Sequence, residues 1–460
     1  MASISINAPG TGFISNSFNL DNAGPARICI TAETEDFDTQ TLRDWQHEGF
    51  DVVYVAYGNG GKEYISRLNG VKEGLGVGEQ YAVIAYGDAA SACLDHYRKP
   101  TSCSKLAALI AYYPTNIPDT RTRFPHGLRV LVHLAGDSVD VTTTPQALGL
   151  QGKRRRSTRR IYPGVGTGER LNIAYPTYTY EYSQPGFAEH DLEEYDRVSA
   201  EVAFTRTLDV LRKAFRKYPD LEKIWDDNQE YVYFSSKANE AMETFVTHKK
   251  PSVTFAPTLT GGNGAQHLRH FYENHFLQNK PPSMRLRLIS RTIGADRIVD
   301  ELYTTFEHTQ EMPWMLPGVP PTNKRVEIIM VSIVGFKAGK LYSEHIYWDQ
   351  ASVLVQIGLL DPKLLPEGVQ GVKRLPVVGN EAARRILLDN PSSGKNYHNK
   401  LITGEPEKDS EKPKLDKKPT KDKGKGKAVE NGTNSENGTS KTANGDDGIE
   451  ATHEADGNEA

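Results

Sequence analysis

Residues 81–99 read YAVIAYGDAASACLDHYRK: an apolar run, a glycine, then a helical pattern with no loop between them. Strand, tight turn and helix in this order are the unit of a parallel sheet, whose neighbouring strands must be joined by long crossovers. The same rhythm surrounds the stretch. It begins with ARICITAE at 26–33, a helical pattern at 41–50, DVVYVAY at 51–57 and a helix near 62–75, and it continues with LAALIAYY at 106–113 and GLRVLVHLAG at 127–136. Strands this continuously apolar are buried on both faces. After a basic, glycine-rich interruption come TYTYEYS at 177–183 and a helical pattern over 191–218. Residues 26–218 therefore read as an α/β domain with a doubly wound parallel sheet, preceded by an extension over 1–25.

From about residue 225 the order of elements changes. Helical patterns near 236–247 and 263–278 come first, and the β patterns at 284–293, 296–309, 325–336 and 340–349 follow with only short connections. Helices followed by strands indicate an α+β unit, here 225–390, closed by helices at 351–360 and 380–389. Residues 404–460 hold almost no large apolar side chains, too few to offset the entropy of ordering, so 391–460 reads as a disordered, charged tail.

Lys and Arg total 55 against 59 Asp and Glu in 460 residues, a formal charge of −4. This balance argues against capture of nucleic acid by the whole chain. Three cysteines are too few for a disulfide framework and lack CxxC spacing, which points to a reducing compartment and no structural zinc. No stretch approaches eighteen apolar residues and the first residues do not form a secretory signal. The expectation is a cytoplasmic protein, with the basic runs offering nuclear import as the alternative. The strongest of these runs, Lys153 to Arg160, reads as a solvated surface loop, or else as an anion-binding patch.

The α/β order and the turn Ala85-Tyr86-Gly87-Asp88 resemble the dienelactone hydrolase family of α/β hydrolases over roughly 26–216. The resemblance implies a nucleophile at the turn, an acid after the strand 127–136 and a histidine before a Gly-Phe pair. The matching positions hold Gly87, Asp137 and Pro185, so nucleophile and base are both missing and acyl transfer is not expected. A rebuilt site would need Asp88 or Ser91 as nucleophile, with His190 or His126 as base.

The second unit resembles the SnoaL-like polyketide cyclases, α+β cones of the nuclear transport factor 2 superfamily. The matches are Phe306-Glu307-His308-Thr309 with the turn 317–322, Gly339-Lys340-Leu341 with Glu344, and Trp348-Asp349 with Gln356-Ile357-Gly358. The resemblance implies that Asp349 is a general acid/base, which requires a carboxylate in an apolar cavity, with His308 as its partner. Asp349 also stands where an aspartate caps a helix. Tyr347, His345, Trp314, Phe306 and Trp348 are the candidate substrate-binding residues, Trp314 as part of a hydrophobic wall or lid. Glu301 and Glu344 read as structural carboxylates. His267, His270 and His275 lie at helical spacing but lack an acidic or cysteine complement for a metal.

The expected protein is therefore a cofactor-independent proton-transfer enzyme of cyclase, isomerase or dehydratase type. Its partner would be a hydrophobic carbonyl compound or polyketide-like small molecule, with no metal and no membrane, and a homodimer through the cone. The alternatives are a non-catalytic ligand-binding or scaffold protein and an esterase or lactonase with a rebuilt site.

Overall fold

A computed structural model describes residues 24–143, 146–147, 150–151, 155–160, 169–180, 182–365, 367–368, 370–388 and 399–403. Nearly all of the N-terminal extension, most of the charged tail, and Lys153 and Arg154 of the basic run lie outside the described residues. Of the tail expected to be disordered, Lys400–Thr403 forms a short helix.

The first part runs β1 (Arg27–Thr31), α1 (Thr39–His47), β2 (Asp51–Tyr54), α2 (Gly61–Gly70), β3 (Tyr81–Tyr86), α3 (Gly87–His96), β4 (Leu106–Tyr112), β5 (Asn116–Pro118), β6 (Arg129–Ala135) and β7 (Ser138–Thr143). It continues with β8 (Gln146–Ala147), β9 (Leu150–Gln151), β10 (Arg155–Arg160), β11 (Glu169–Arg170), β12 (Thr177–Tyr180) and α4 (Arg197–Phe215). Seven of these strands form a sheet in the order β11-β12-β6-β4-β3-β1-β2, with every pair parallel except β11 with β12. Alternate residues of one strand feed different cores, as continuous apolarity requires. Tyr81, Val83 and Ala85 enter the cluster with Leu68 and Leu94, while Ala82, Ile84 and Tyr86 enter the one with Trp45 and Leu208. The basic run, expected as a loop, is in its described part the strand β10, exposed throughout and paired antiparallel with β7.

The second part holds α5 (Leu221–Gln229), α6 (Ala238–Glu243), β13 (Ser252–Phe255), β14 (Thr260–Asn263), α7 (Ala265–Phe271), β15 (Arg285–Ile293), β16 (Arg297–Glu307), β17 (Arg325–Lys337), β18 (Lys340–Trp348), α8 (Gln350–Ile357) and α9 (Glu381–Leu388). Single π-helical turns extend α5 and α7. The sheet order is β14-β13-β18-β17-β16-β15, mainly antiparallel, and its concave face holds a third core built on Trp225, Phe255, Phe276 and Trp314. This is an α+β cone. The helix that opens it and the pair β13 and β14 are additions to the sequence reading.

Helix starts follow a shared chemistry. Asp38, Asp196, Asp220 and Asp349 each accept a backbone N–H of the helix that follows, satisfying donors that a first turn leaves free. Helix α3 has no such side chain of its own. Its first-turn amide is met from elsewhere in the fold.

The two sheets are bridged by buried charge. Arg212 of α4 lies 3.2 Å from Glu48 and donates to the Ala295 carbonyl in the β15–β16 turn. Glu48 in turn accepts the Ala338 amide at 2.9 Å. Nearby, Lys249 pairs with Asp44 at 2.7 Å, and the rings of His47 and His248 lie 4.0 Å apart.

Candidate functional site

In an open parallel sheet the winding reverses where consecutive crossovers leave in opposite directions, and the strand ends open a crevice there. Here β2 lies to one side of β1 while β3, β4 and β6 extend to the other. The reversal falls between β1 and β3. A crevice of about 580 Å³ opens above it, lined among others by Glu33 after β1, Gly87 after β3, Tyr113 after β4, and Pro185 and Glu189 after β12.

Gly87 begins α3 at φ +52°, a left-handed conformation that favours glycine. Its missing side chain has a second reason. A Cβ on Gly87 would stand 1.7 Å from Glu33 Oε1, so the carboxylate of Glu33 occupies the space in which a nucleophilic side chain would project. The same oxygen accepts the Asp88 amide at 2.7 Å. An amide at the first turn of a helix is a good anion donor, because the free N–H groups and the aligned peptide dipoles both favour negative charge.

Across the crevice the Tyr113 hydroxyl donates to Glu189. Burial raises the Glu189 carboxyl to about 7, the nearby Glu33, Asp191 and Asp38 reinforce the rise, and the Tyr113 bond opposes it. Tyr113 itself has φ +34°, strain of order 1–3 kcal/mol that packing must hold. It is buried, and its amide donates to the His133 carbonyl at 2.7 Å.

Of the three expected triad positions, Gly87 and Pro185 line this crevice and Asp137 does not: Asp137 is exposed, and Asp140 takes a place in the lining. The rebuilt triad does not form. Ser91 is buried, bonded to the Thr115 hydroxyl at 3.0 Å and to the Asn116 amide, and Asp88 accepts the Thr115 hydroxyl. Among the described residues neither has a histidine partner. His190 is held instead by Asp38 at 2.7 Å, outside the crevice lining, and His126 is exposed.

In the cone, Asp349 is exposed and its carboxylate accepts the Ser352 amide at 3.2 Å. It caps α8, which does not meet the expectation of a desolvated carboxylate. Asp349 and His308 are also not brought together. Through Met330, Trp348 lies level with Leu302, so Asp349 stands near the level of Tyr303 and His308, five positions farther on, is displaced by roughly 17 Å along the sheet. His308 is fully buried, its Nδ1 accepts the Thr322 amide at 3.3 Å, and burial lowers its pKa. Its Nε2 is buried with no hydrogen-bond partner among the described residues.

The remaining cone candidates divide by face. His345 and Tyr347 point outward and are exposed, so they are separated from the interior by their own strand. Phe306, Trp314 and Trp348 point inward. Trp314, expected as a lid, is fully buried, and its ring lies 5.4 Å from Phe255 and 5.1 Å from Phe276. It plugs the core. Glu301 and Glu344 stand on opposite faces. Glu301 meets Ser290 outside, whereas Glu344 is buried inside, accepts the Ser332 hydroxyl at 2.9 Å and is pushed up to about 7 by burial. The signal for it was a carboxylate sharing a strand face with Ile346 and Trp348.

His267 and His270 are exposed and bonded to Asn263 and Asn274. Among the described residues no group of three or more His, Cys, Asp or Glu side chains is arranged to hold a metal ion. Among them, too, no helix is long and apolar enough to cross a membrane.

No protein-family model matches the chain, and no curated protein matches it. Solved structures do. A candidate SnoaL-like polyketide cyclase from Jannaschia sp. CCS1 is 14% identical, with 30% of this chain and 94% of that one covered and a TM-score of 0.25. One from Shewanella putrefaciens CN-32 is 12% identical, covering 31% and 88% at a TM-score of 0.26. A hypothetical protein with a ketosteroid isomerase-like fold from Catenulispora acidiphila is 13% identical, covering 32% and 99% at 0.24. Likeness at this level assigns neither activity nor substrate. The resemblance to dienelactone hydrolases finds no support in these comparisons.

Proposed function

We propose that the protein is a cofactor-independent proton-transfer catalyst, of isomerase, cyclase or dehydratase type, acting on a small carbonyl compound in the crevice of the parallel sheet. The observation that carries this reading is the carboxylate of Glu33, seated on the Asp88 amide in the space a nucleophile would fill. A carboxylate there removes a proton; it leaves no room for a side chain at residue 87 to attack a carbonyl.

The roles follow from environment. Glu33, open to solvent, acts as the base that takes a proton from the carbon beside the carbonyl. As it turns to do so it releases the Asp88 N–H, which then meets the developing enolate oxygen at the first turn of α3. Glu189, held near neutrality by burial, returns a proton. Division of acid and base roles between two carboxyl groups recurs in such sites, and such catalysis supplies about 100- to 10,000-fold.

The test is solvent-deuterium exchange at carbon, followed by NMR over a panel of small ketones and lactones. Exchange by the wild type that is abolished in Glu33→Gln and loses its inflection near pH 7 in Glu189→Gln, with folding intact, supports the reading. Ester or lactone hydrolysis without exchange contradicts it.

A second reading rests on His308, whose buried Nε2 lacks a partner. A hydrophobic carbonyl compound held in the cone would supply an acceptor. Perturbation of the His308 ring resonances by aromatic ketones supports this reading, and unchanged resonances at saturating ketone contradict it.

A further inference from the structure

The carboxylates of the crevice are not balanced by its own lining. Glu33, Asp36, Asp140, Glu189 and Asp191 line it, and among the described residues no Lys, Arg or His does. Asp140 has a cation, Arg156 on the flanking strand β10, at 3.6 Å, and it also accepts the Thr158 hydroxyl. Glu33, Asp36, Glu189 and Asp191 have no ion pair among the described residues. A concave wall of one sign concentrates its field in the cleft and raises the local concentration of the opposite charge.

The stress of this arrangement is visible in its neighbours. The Glu189 carboxyl is raised first by burial and then by Glu33, Asp191 and Asp38. Burial raises the Tyr54 and Tyr113 phenols; the charges of Glu35, outside the lining, and then of Glu33 and Glu189 raise Tyr54 further, and Glu189 does the same to Tyr113. A bound cation relieves like-charge repulsion of this kind. The wall is also suited to an organic cation. Phe37 and Tyr113 line the crevice beside the carboxylates, so its wall carries apolar as well as acidic groups.

We infer that the crevice selects a small organic cation, an ammonium-bearing carbonyl compound, over neutral and anionic compounds of the same shape. This inference rests on the crevice being the working site. It also fits the proposed chemistry, since an ammonium group near a carbonyl acidifies the adjacent C–H and brings it to Glu33 as a counter-ion. The four exposed arginines of β10 run beside the crevice but are not part of its lining, so an anion-selective site is the outcome that competes.

The test uses the full chain at pH 8, where Glu189 is ionised, with benzylammonium, benzyl alcohol and benzoate as probes measured by calorimetry and ligand-observed NMR. Benzylammonium is expected to bind about tenfold or more tightly than benzyl alcohol, and benzoate not at all. Most of this preference should vanish at about 1 M salt, where the Debye length falls to ~3 Å. The double variant Asp36→Asn with Asp191→Asn, both exposed positions, should weaken benzylammonium several-fold and leave benzyl alcohol unchanged. Equal binding of the three probes, tighter binding of benzoate, or no binding of any probe overturns the inference. Cation selection without deuterium exchange contradicts only the proton-transfer reading, and exchange on neutral ketones without charge preference contradicts only this one.

Discussion

Glu33 Oε1 accepts the Asp88 amide at 2.7 Å from a position 1.7 Å from where a Cβ on Gly87 would stand. One carboxylate thus caps a helix that has no cap of its own, fills the nucleophile space and faces the crevice.

Gly87→Ala tests this coupling. The substitution meets both an unfavourable φ, worth about 1–2 kcal/mol, and the Glu33 carboxylate. Urea denaturation should show a loss larger than the backbone strain alone, and Glu33→Ala in the Gly87→Ala background should recover part of it. A strictly additive pair of losses would mean that the two positions do not compete for space.

Tyr113→Phe removes the hydroxyl that donates to Glu189, an interaction that opposes the rise of that carboxyl. The Glu189 midpoint, followed by carboxyl-carbon NMR, should move from about 7 to a higher pH. A downward move would assign the tyrosine the opposite role.

Glu344 makes the cone lose stability between acidic and neutral pH. Its folded pKa, about 7, lies above the ordinary value of 4.5, so its charge brings no penalty below pH 4.5, and the penalty builds as pH rises to about 7 and stays level above it. Glu344→Gln keeps the shape and removes the charge. It should raise stability at pH 8 by about 3 kcal/mol and change little at pH 4, as read by chemical denaturation at the two pH values.

His248 acts in the other direction. Its folded pKa is lowered to about 4, first by burial and then by His47 and Lys249. The folded state therefore binds its proton less readily than the unfolded chain, and stability present above pH 6.5 is lost as pH falls towards 4. His248→Phe should flatten the stability profile over that interval and leave the profile above pH 7 unaltered.

The parallel strands were legible because burial on both faces demands unbroken apolar runs, as in 81–86 and 106–112. Strands β13 and β14 were not. TGGN at 260–263 carries no β pattern, yet it forms β14, where a Cβ on Gly261 would stand 2.0 Å from the Val253 carbonyl oxygen, so the glycine is what permits the pairing. On β18 period-two alternation puts His345 and Tyr347 on one face and Glu344, Ile346 and Trp348 on the other, and only the second set packs inward, which sequence alone does not decide because both faces carry aromatic and ionisable side chains. Asp349 was readable as a cap from its place at a strand–helix junction. Glu33 was beyond sequence reasoning, since it reaches α3 from 55 positions away and its role arises only from the way β1 and β3 lie side by side.

The pH profile of carbon-bound proton exchange on an ammonium-bearing ketone tests the central claim most directly. The account predicts an exchange rate governed by a group titrating near 7 in the wild type, with that inflection absent in Glu189→Gln and exchange abolished in Glu33→Gln. An exchange profile identical in all three proteins would contradict it.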